Sequence, residues 1–329
     1  MHLLIPFAAP LSEPGRQAAA TLQLPRLQAL LGRLALQSRD EGDELSLTPP
    51  HERAVASVIG WAPKDGLLPW AARLAEADGI EIGSAAWGLM TPAHWHLGTS
   101  QVSLFDQQRL SLDEATSRAF FSTLHSLFTS ADHAMHFGAP LRWYVSQPSL
   151  ATLATASLDR VIGRNVDAWL GKHNAAQGMS RGAAPKANSG ALRSEGSPIS
   201  RLQSEAQMLL HTHPLNVERE ARGLLPVNSF WLSGCGIAQP ARHAAPSIDD
   251  RLRTPALADD WAAWCKAWET LDSGPLAKLL AATERGADVR LTLCGERSSA
   301  TFGLRKLGVV QRLRLRWAAP AVRPLLESL

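Results

Sequence analysis

Apolar positions along this chain recur at two spacings, period two for strands and about 3.6 for helices, and they divide it into alternating elements. The run His2-Leu3-Leu4-Ile5-Pro6-Phe7, closed by Ala8-Ala9-Pro10, predicts a buried first strand and a turn. Leucines spaced through residues 23–36 predict a helix, and the polar stretch 38–50 a surface loop. Helical patterns follow over 51–59 and 69–78, the second closing at Gly79. Residues 85–105 read as two strands around a turn, and His94 and His96 would share one face there. Ser111 with Glu114 has capping-box spacing and predicts a helix running to Phe128. Later patterns predict helices over 259–271 and 275–285 and strands over 302–304 and 309–317. The last of these alternates Arg312, Arg314 and Arg316, as an exposed edge would.

The densest chemistry lies between Arg201 and Gly236. Leu202, Ala206, Leu209 and Leu210 mark one apolar helix face up to His211. Pro214 suits the first turn of a second short helix, and Gly223 its left-handed stop. A strand over 227–232 follows and ends at Gly234-Cys235-Gly236. His211, His213, Asn216, Arg219, Arg222 and Asn228 are thereby gathered around one turn. A helix start beside arginines can bind an anion; equally, the two asparagines can brace the turn while the arginines face solvent. Arg142, and Asp159, Arg160 and Arg164 around Gly163, admit the same two readings: phosphate or carboxylate recognition, or local pairing. An anion pocket requires Arg142, Arg164 and Arg219 to converge.

Composition narrows the classes. Arginines are scattered without a lysine block or interleaved aromatics, so a net charge of +3 gives no case for a nucleic-acid partner. No stretch reaches the apolar length of a membrane helix, and the first residues lack a basic n-region. Cys235, Cys265 and Cys294 stand far apart, as in a reducing cytoplasm, where we expect this protein. Trp261, Trp264 and Trp268 recur at helical spacing, for a core or an interface. Residues 171–200 lose all periodicity in favour of Gly, Ser and Ala, a flexible insertion between an N-terminal α/β part (1–170) and a C-terminal part (201–329), which could also be one composite domain.

His213, Pro214, Asn216, Arg219, Gly223, Pro226, Asn228, Trp231, Leu232, Gly234 and Gly236 stand in a pattern that resembles archaeal-type cofactor-independent phosphoglycerate mutases, of the alkaline-phosphatase superfamily. It is similar, more closely still, to a bacterial group of RpfE-type regulatory proteins. The resemblance runs from about Leu89 to Gly236 and implies an α/β fold with a mixed sheet and flanking helices, a reduced version of the mutase architecture, with a strand pair over 136–138 and 141–145; residues 289–296 resemble its late strand. In the mutases the first strand ends in an Asp-Gly whose aspartate binds metal, and a late strand ends in an Asp-His metal pair. Here those places hold Phe7-Ala8-Ala9-Pro10 and Gly295-Glu296-Arg297. Two-metal phosphoryl transfer needs such ligands on both sides of the reacting phosphorus.

The resemblance therefore implies a phosphoglycerate-mutase-like regulatory protein, a pseudoenzyme keeping a phosphate or carboxylate pocket, with a phosphorylated small acid or a protein as partner and no cofactor. The alternative is an active divergent mutase or phosphohydrolase using manganese or magnesium, its ligands drawn from His94, His96, His211, His213 and Asp159. A third reading is an interaction scaffold using the tryptophan helix.

Overall fold

In the computed structural model, which describes residues 1–98, 101–166, 168–169, 198–304 and 322–329, the chain forms two units, residues 1–62 with 241–329, and residues 63–240. Strands are β1 (His2–Ile5), β2 (Leu34–Asp40), β3 (Ala86–Ala93), β4 (Trp95–Leu97), β5 (Val102–Leu104) and β6 (Ala134–Ala139). They continue as β7 (Arg142–Ser146), β8 (Ser229–Ile237), β9 (Ser247–Ile248), β10 (Arg290–Cys294) and β11 (Ser299–Leu304). Helices are α1 (Glu13–Thr21), α2 (Pro25–Leu31), α3 (Pro50–Ile59), α4 (Trp70–Ala77), α5 (Glu114–Ser130) and α6 (Leu158–Val161). The remainder are α7 (Pro198–His211), α8 (Pro214–Ala221), α9 (Arg253–Leu257), α10 (Trp261–Leu271), α11 (Ala277–Glu284) and α12 (Val322–Glu327).

The discontinuous unit carries a mixed sheet of order β2-β11-β10-β1-β9. β1 runs parallel to β10 and β9, while β11 pairs antiparallel with β10 and β2. Its core joins leucines of α2 and β10 to Trp264 and Trp268 of α10, both fully buried and edge-on at 6.1 Å. The tryptophan spacing thus makes a core face, with Trp261 half-buried at its margin. A buried carboxylate sets the start of α2: Asp272 accepts from the N–H of Leu27 (2.8 Å) and of Arg26 (3.2 Å), donors that a helix start leaves unpaired.

The continuous unit is built on an antiparallel sheet of order β6-β7-β3-β8. One face packs Met90, Trp143 and Val145 against Phe120, Leu124 and Phe128 of α5 and Leu202, Ala206 and Leu210 of α7. The opposite face packs Trp87 and Tyr144 against the alanines of α4. Alternation along β3 and β7 therefore serves two cores, as period-two geometry requires. The protein is an α/β fold with a mixed sheet and flanking helices.

Three expectations change. The helix read over 23–36 stops at Leu31, and Leu34 to Asp40 is strand, because pairing with β11 overrides the leucine spacing. The start of α5 is capped by Asp113, whose carboxylate accepts from Thr116 N–H at 2.7 Å, while Ser111 sits in the left-handed region at φ 48°. Leu209 is 43% exposed and leaves the apolar face of α7 to Leu202, Ala206 and Leu210. The strand read over 309–317 and most of the insertion read over 171–200 lie outside the described residues. No helix among the described residues is long and apolar enough to cross a membrane.

Candidate functional site

The turn after α7 is assembled by side chains bonding to backbone. His213 is the N-cap of α8: its Nδ1 accepts from Leu215 N–H (3.2 Å), with Pro214 at the first helical position. That acceptor role leaves the proton on Nε2, which lies 2.9 Å from Thr123 Oγ1, and Thr123 in turn donates to Ala119 O. The imidazole rests on Phe120, ring centroids 5.2 Å apart. Asn216 is buried and spends its amide on the main chain. Nδ2 donates to Leu210 O and Val227 O, both at 2.8 Å, and Oδ1 accepts from Val227 N–H at 2.9 Å. One side chain thereby ties the end of α7 to the approach to β8.

Arg219, also buried, donates from Nε to Leu225 O (2.9 Å) and from Nη2 to Leu110 O. Burial pulls its guanidinium below the ordinary arginine value, with Asp113 opposing and Arg222 adding. Asn228 pairs with Trp95 as a strand would, accepting its N–H (2.8 Å) and donating to its carbonyl (2.9 Å). Gly223, at φ 71°, supplies the left-handed stop. The structure thus brings His213, Asn216, Arg219 and Asn228 around the 222–228 loop, with Asn216 and Arg219 bonding loop backbone at Val227 and Leu225 and all four also bonding groups outside it, at Thr123, Leu215, Leu210, Leu110 and Trp95. Arg222 and His211 face solvent.

The other cations sit on different attachments. Arg142 grips Asp78 with both arms of its fork, Nε at 3.0 Å and Nη2 at 2.8 Å, and Tyr144 Oη donates to the same carboxylate at 2.6 Å. The Arg142 hydrogen bond holds Asp78 below the usual carboxylate value against the opposing effect of burial, with Tyr144 assisting. Burial, then Asp78, pushes the Tyr144 phenol up. Asp78 carried no local signal, since its partners lie 64 and 66 residues away in the chain. Asp159 in α6 and Arg164, beside Gly163 at φ 72°, are half-buried. Of the three arginines expected to converge, Arg142 is engaged with Asp78 and Arg219 with two carbonyls.

His94 and His96 do share a face, and Phe105 fills the space before them, with ring centroids at 5.3 and 5.2 Å. The Arg109 guanidinium lies 4.3 Å from that phenyl centroid. His94 Nδ1 donates to Pro226 O at 2.9 Å. Among the described residues no group of three or more His, Cys, Asp or Glu is placed to hold a metal ion.

The carboxyl ends of parallel strands are where open α/β sheets build ligand sites. Past β1, Phe7 takes a left-handed conformation (φ 55°), lies against the tilted His51 ring with centroids 5.3 Å apart, and accepts the Trp264 indole N–H at 3.0 Å through its carbonyl. Ala8 N–H donates to Cys294 O at 2.7 Å, closing the ends of β1 and β10 on each other. Glu296 Oε1 accepts from Leu11 N–H at 2.9 Å. Burial pushes the Cys294 thiol up, with Arg53 opposing. Arg53 also pairs with Asp40 at 2.7 Å and donates to Thr48 O and Arg297 O, fixing the loops around this end.

No protein-family model matches the sequence, and neither does any curated protein. Among solved structures the chain is similar to a cofactor-independent phosphoglycerate mutase from Thermoplasma acidophilum DSM 1728, with 13% identity and a TM-score of 0.35 over 93% of this chain and 90% of that one. It is also similar to the PH0037 protein from Pyrococcus horikoshii, with 10% identity and a TM-score of 0.43 over 92% and 87%.

Proposed function

We propose that this chain is a regulatory protein of phosphoglycerate-mutase-like design that senses a small phosphorylated acid and works without two-metal phosphoryl transfer. The pattern over residues 213–236 suggests the design. The observation that carries the reading is the carboxyl end of β1. Two-metal catalysis requires carboxylates and imidazoles aimed at both the attacking and the leaving oxygen. At this end Phe7 instead presents a phenyl ring to His51, and across from it Glu296 is engaged with Leu11 N–H. The Cys294 thiol, held in its protonated form by burial, is a poor metal ligand.

In this reading the acid docks on cations that reach solvent: Arg222 just past α8, and Arg164 with Asp159 beside Gly163. His213, Asn216, Arg219 and Asn228 shape the 222–228 loop beside Arg222, while Arg142 is held by Asp78. The test combines metal analysis of the purified protein, phosphoglycerate turnover with added manganese, and thermal unfolding with 3-phosphoglycerate. The expected result is no stoichiometric metal, no turnover, and a midpoint raised by at least about 2 °C at saturating ligand, a rise that Arg222→Ala diminishes. Stoichiometric metal together with turnover lost in His213→Ala would instead make the protein an enzyme.

A further inference from the structure

A groove of about 390 Å³ opens at one end of the antiparallel sheet, within the size range of small-ligand sites. It exists because that end of the sheet is made of small residues. Ala134 and Trp87 flank Ser146 across the strands, and Ala86 pairs with Ile237. Ala86, Ala134 and Ala151 leave a floor that larger side chains would fill, and the half-exposed Ile237 walls one side. Gln147 N–H donates to Ala86 O at 3.1 Å and draws the chain after β7 back over the groove.

Its polar groups are few and of defined kind. Asp132, held at φ 57° just past α5, contributes the one charged side chain of the lining, and its carboxylate makes no hydrogen bond or ion pair among the described residues. Ser84 and Ser146 add hydroxyls. The Gln147 side-chain oxygen is taken by Ser149 N–H at 2.6 Å, so its amide nitrogen is left as a donor. A cation for the carboxylate, acceptors for its further protons, a short apolar floor and one donor describe a particular shape of ligand.

We propose that this groove binds a small primary ammonium compound with a compact aliphatic body and one hydrogen-bond acceptor, of the amino-alcohol or amino-acid-amide class. The ammonium pairs with Asp132 and a serine hydroxyl, the aliphatic part covers the alanines, and the acceptor meets Gln147. A phosphorylated acid is disfavoured by the same carboxylate. This site therefore stands apart from the anion-sensing reading, and either can fail without the other.

Leucinol is a suitable probe, titrated calorimetrically into the full chain, with neutral N-acetylleucinol as its control. Saturable one-to-one binding of leucinol is expected, with Asp132→Asn and N-acetylation each weakening it about tenfold or more, the scale of a lost charge-assisted bond. Ser84→Trp should abolish it by filling the rim. Both substituted positions are exposed, and thermal melts matching the parent protein establish that the variants fold. No saturable binding to the parent, or binding unchanged in both variants, overturns the proposal.

Discussion

Asp78 shows how much of this protein rests on individual buried or half-buried polar atoms. Its carboxylate takes three hydrogen bonds, two from Arg142 and one from the fully buried Tyr144. The Arg142 side chain is 43% exposed, so solvent screening limits that ion pair to about 1 kcal/mol. The bond from the buried phenol adds about 1 kcal/mol. Asp78→Asn is therefore expected to cost about 1–2 kcal/mol near neutral pH. The dependence on pH has a definite sign. Because the native carboxyl titrates below its ordinary value, the unfolded chain binds that proton more readily. The stabilisation is fully present above the ordinary aspartate value of about 3.9 and is lost as pH falls through the depressed native one. Urea midpoints of parent and Asp78→Asn should differ by a constant amount from pH 7 to about pH 5 and converge below about pH 4. A gap that persists in acid would mean that packing, and not the carboxylate charge, holds this contact.

At the scale of elements, β8 depends on where backbones touch. Gly234 lies at φ 62°, and a Cβ there would stand 2.9 Å from Ala71 N and 3.1 Å from Trp70 Cβ, at the start of α4. Gly79, past the end of α4, is at φ 81° with nothing within 4 Å of such a Cβ. Gly79→Ala should lose only the left-handed conformational cost, about 1–2 kcal/mol. Gly234→Ala adds the displacement of a helix start, about 1–3 kcal/mol more. Chemical unfolding of the two variants side by side separates the contributions, and equal losses would refute the close approach.

This pair also shows what could be read from the chain and what could not. Glycine stops at 79 and 223 and Pro214 at a helix start are local, and they were legible. The strand β2 was not, because only its pairing with β11, some 260 residues on, turns a leucine-rich stretch from helix to sheet. The site was legible as a cluster but not as a role. Spacing gathers His213, Asn216, Arg219 and Asn228 at one turn, but it cannot tell whether their donors meet a ligand or the carbonyls of Leu210, Leu225, Val227 and Trp95. The groove beside Asp132 gave no sequence signal, since it is made from the ends of strands far apart in the chain.

For the whole molecule, the decisive feature is that one unit is continuous and the other is divided around it. Among the described residues the divided unit has one hydrophobic core and the continuous unit two, one on each face of its sheet, and no residue belongs to more than one of them. The divided unit rejoins itself where the chain leaves and returns: Arg242 N–H donates to Ile59 O at 2.8 Å, and Gly60, at φ 85°, packs against the Arg242 side chain. Its two segments are therefore already adjacent at the point of insertion, and a very short loop can close the gap. Joining residue 62 to residue 241 through two glycines should give a protein that unfolds cooperatively, followed through Trp61, Trp261, Trp264 and Trp268. Residues 63–240 expressed alone should do the same. The shortened chain should also refold faster than the full one, because β1 reaches β10 only after the intervening chain has closed into a loop, at an entropic cost that grows with its length. If either piece fails to show a cooperative transition, its core is not sufficient by itself.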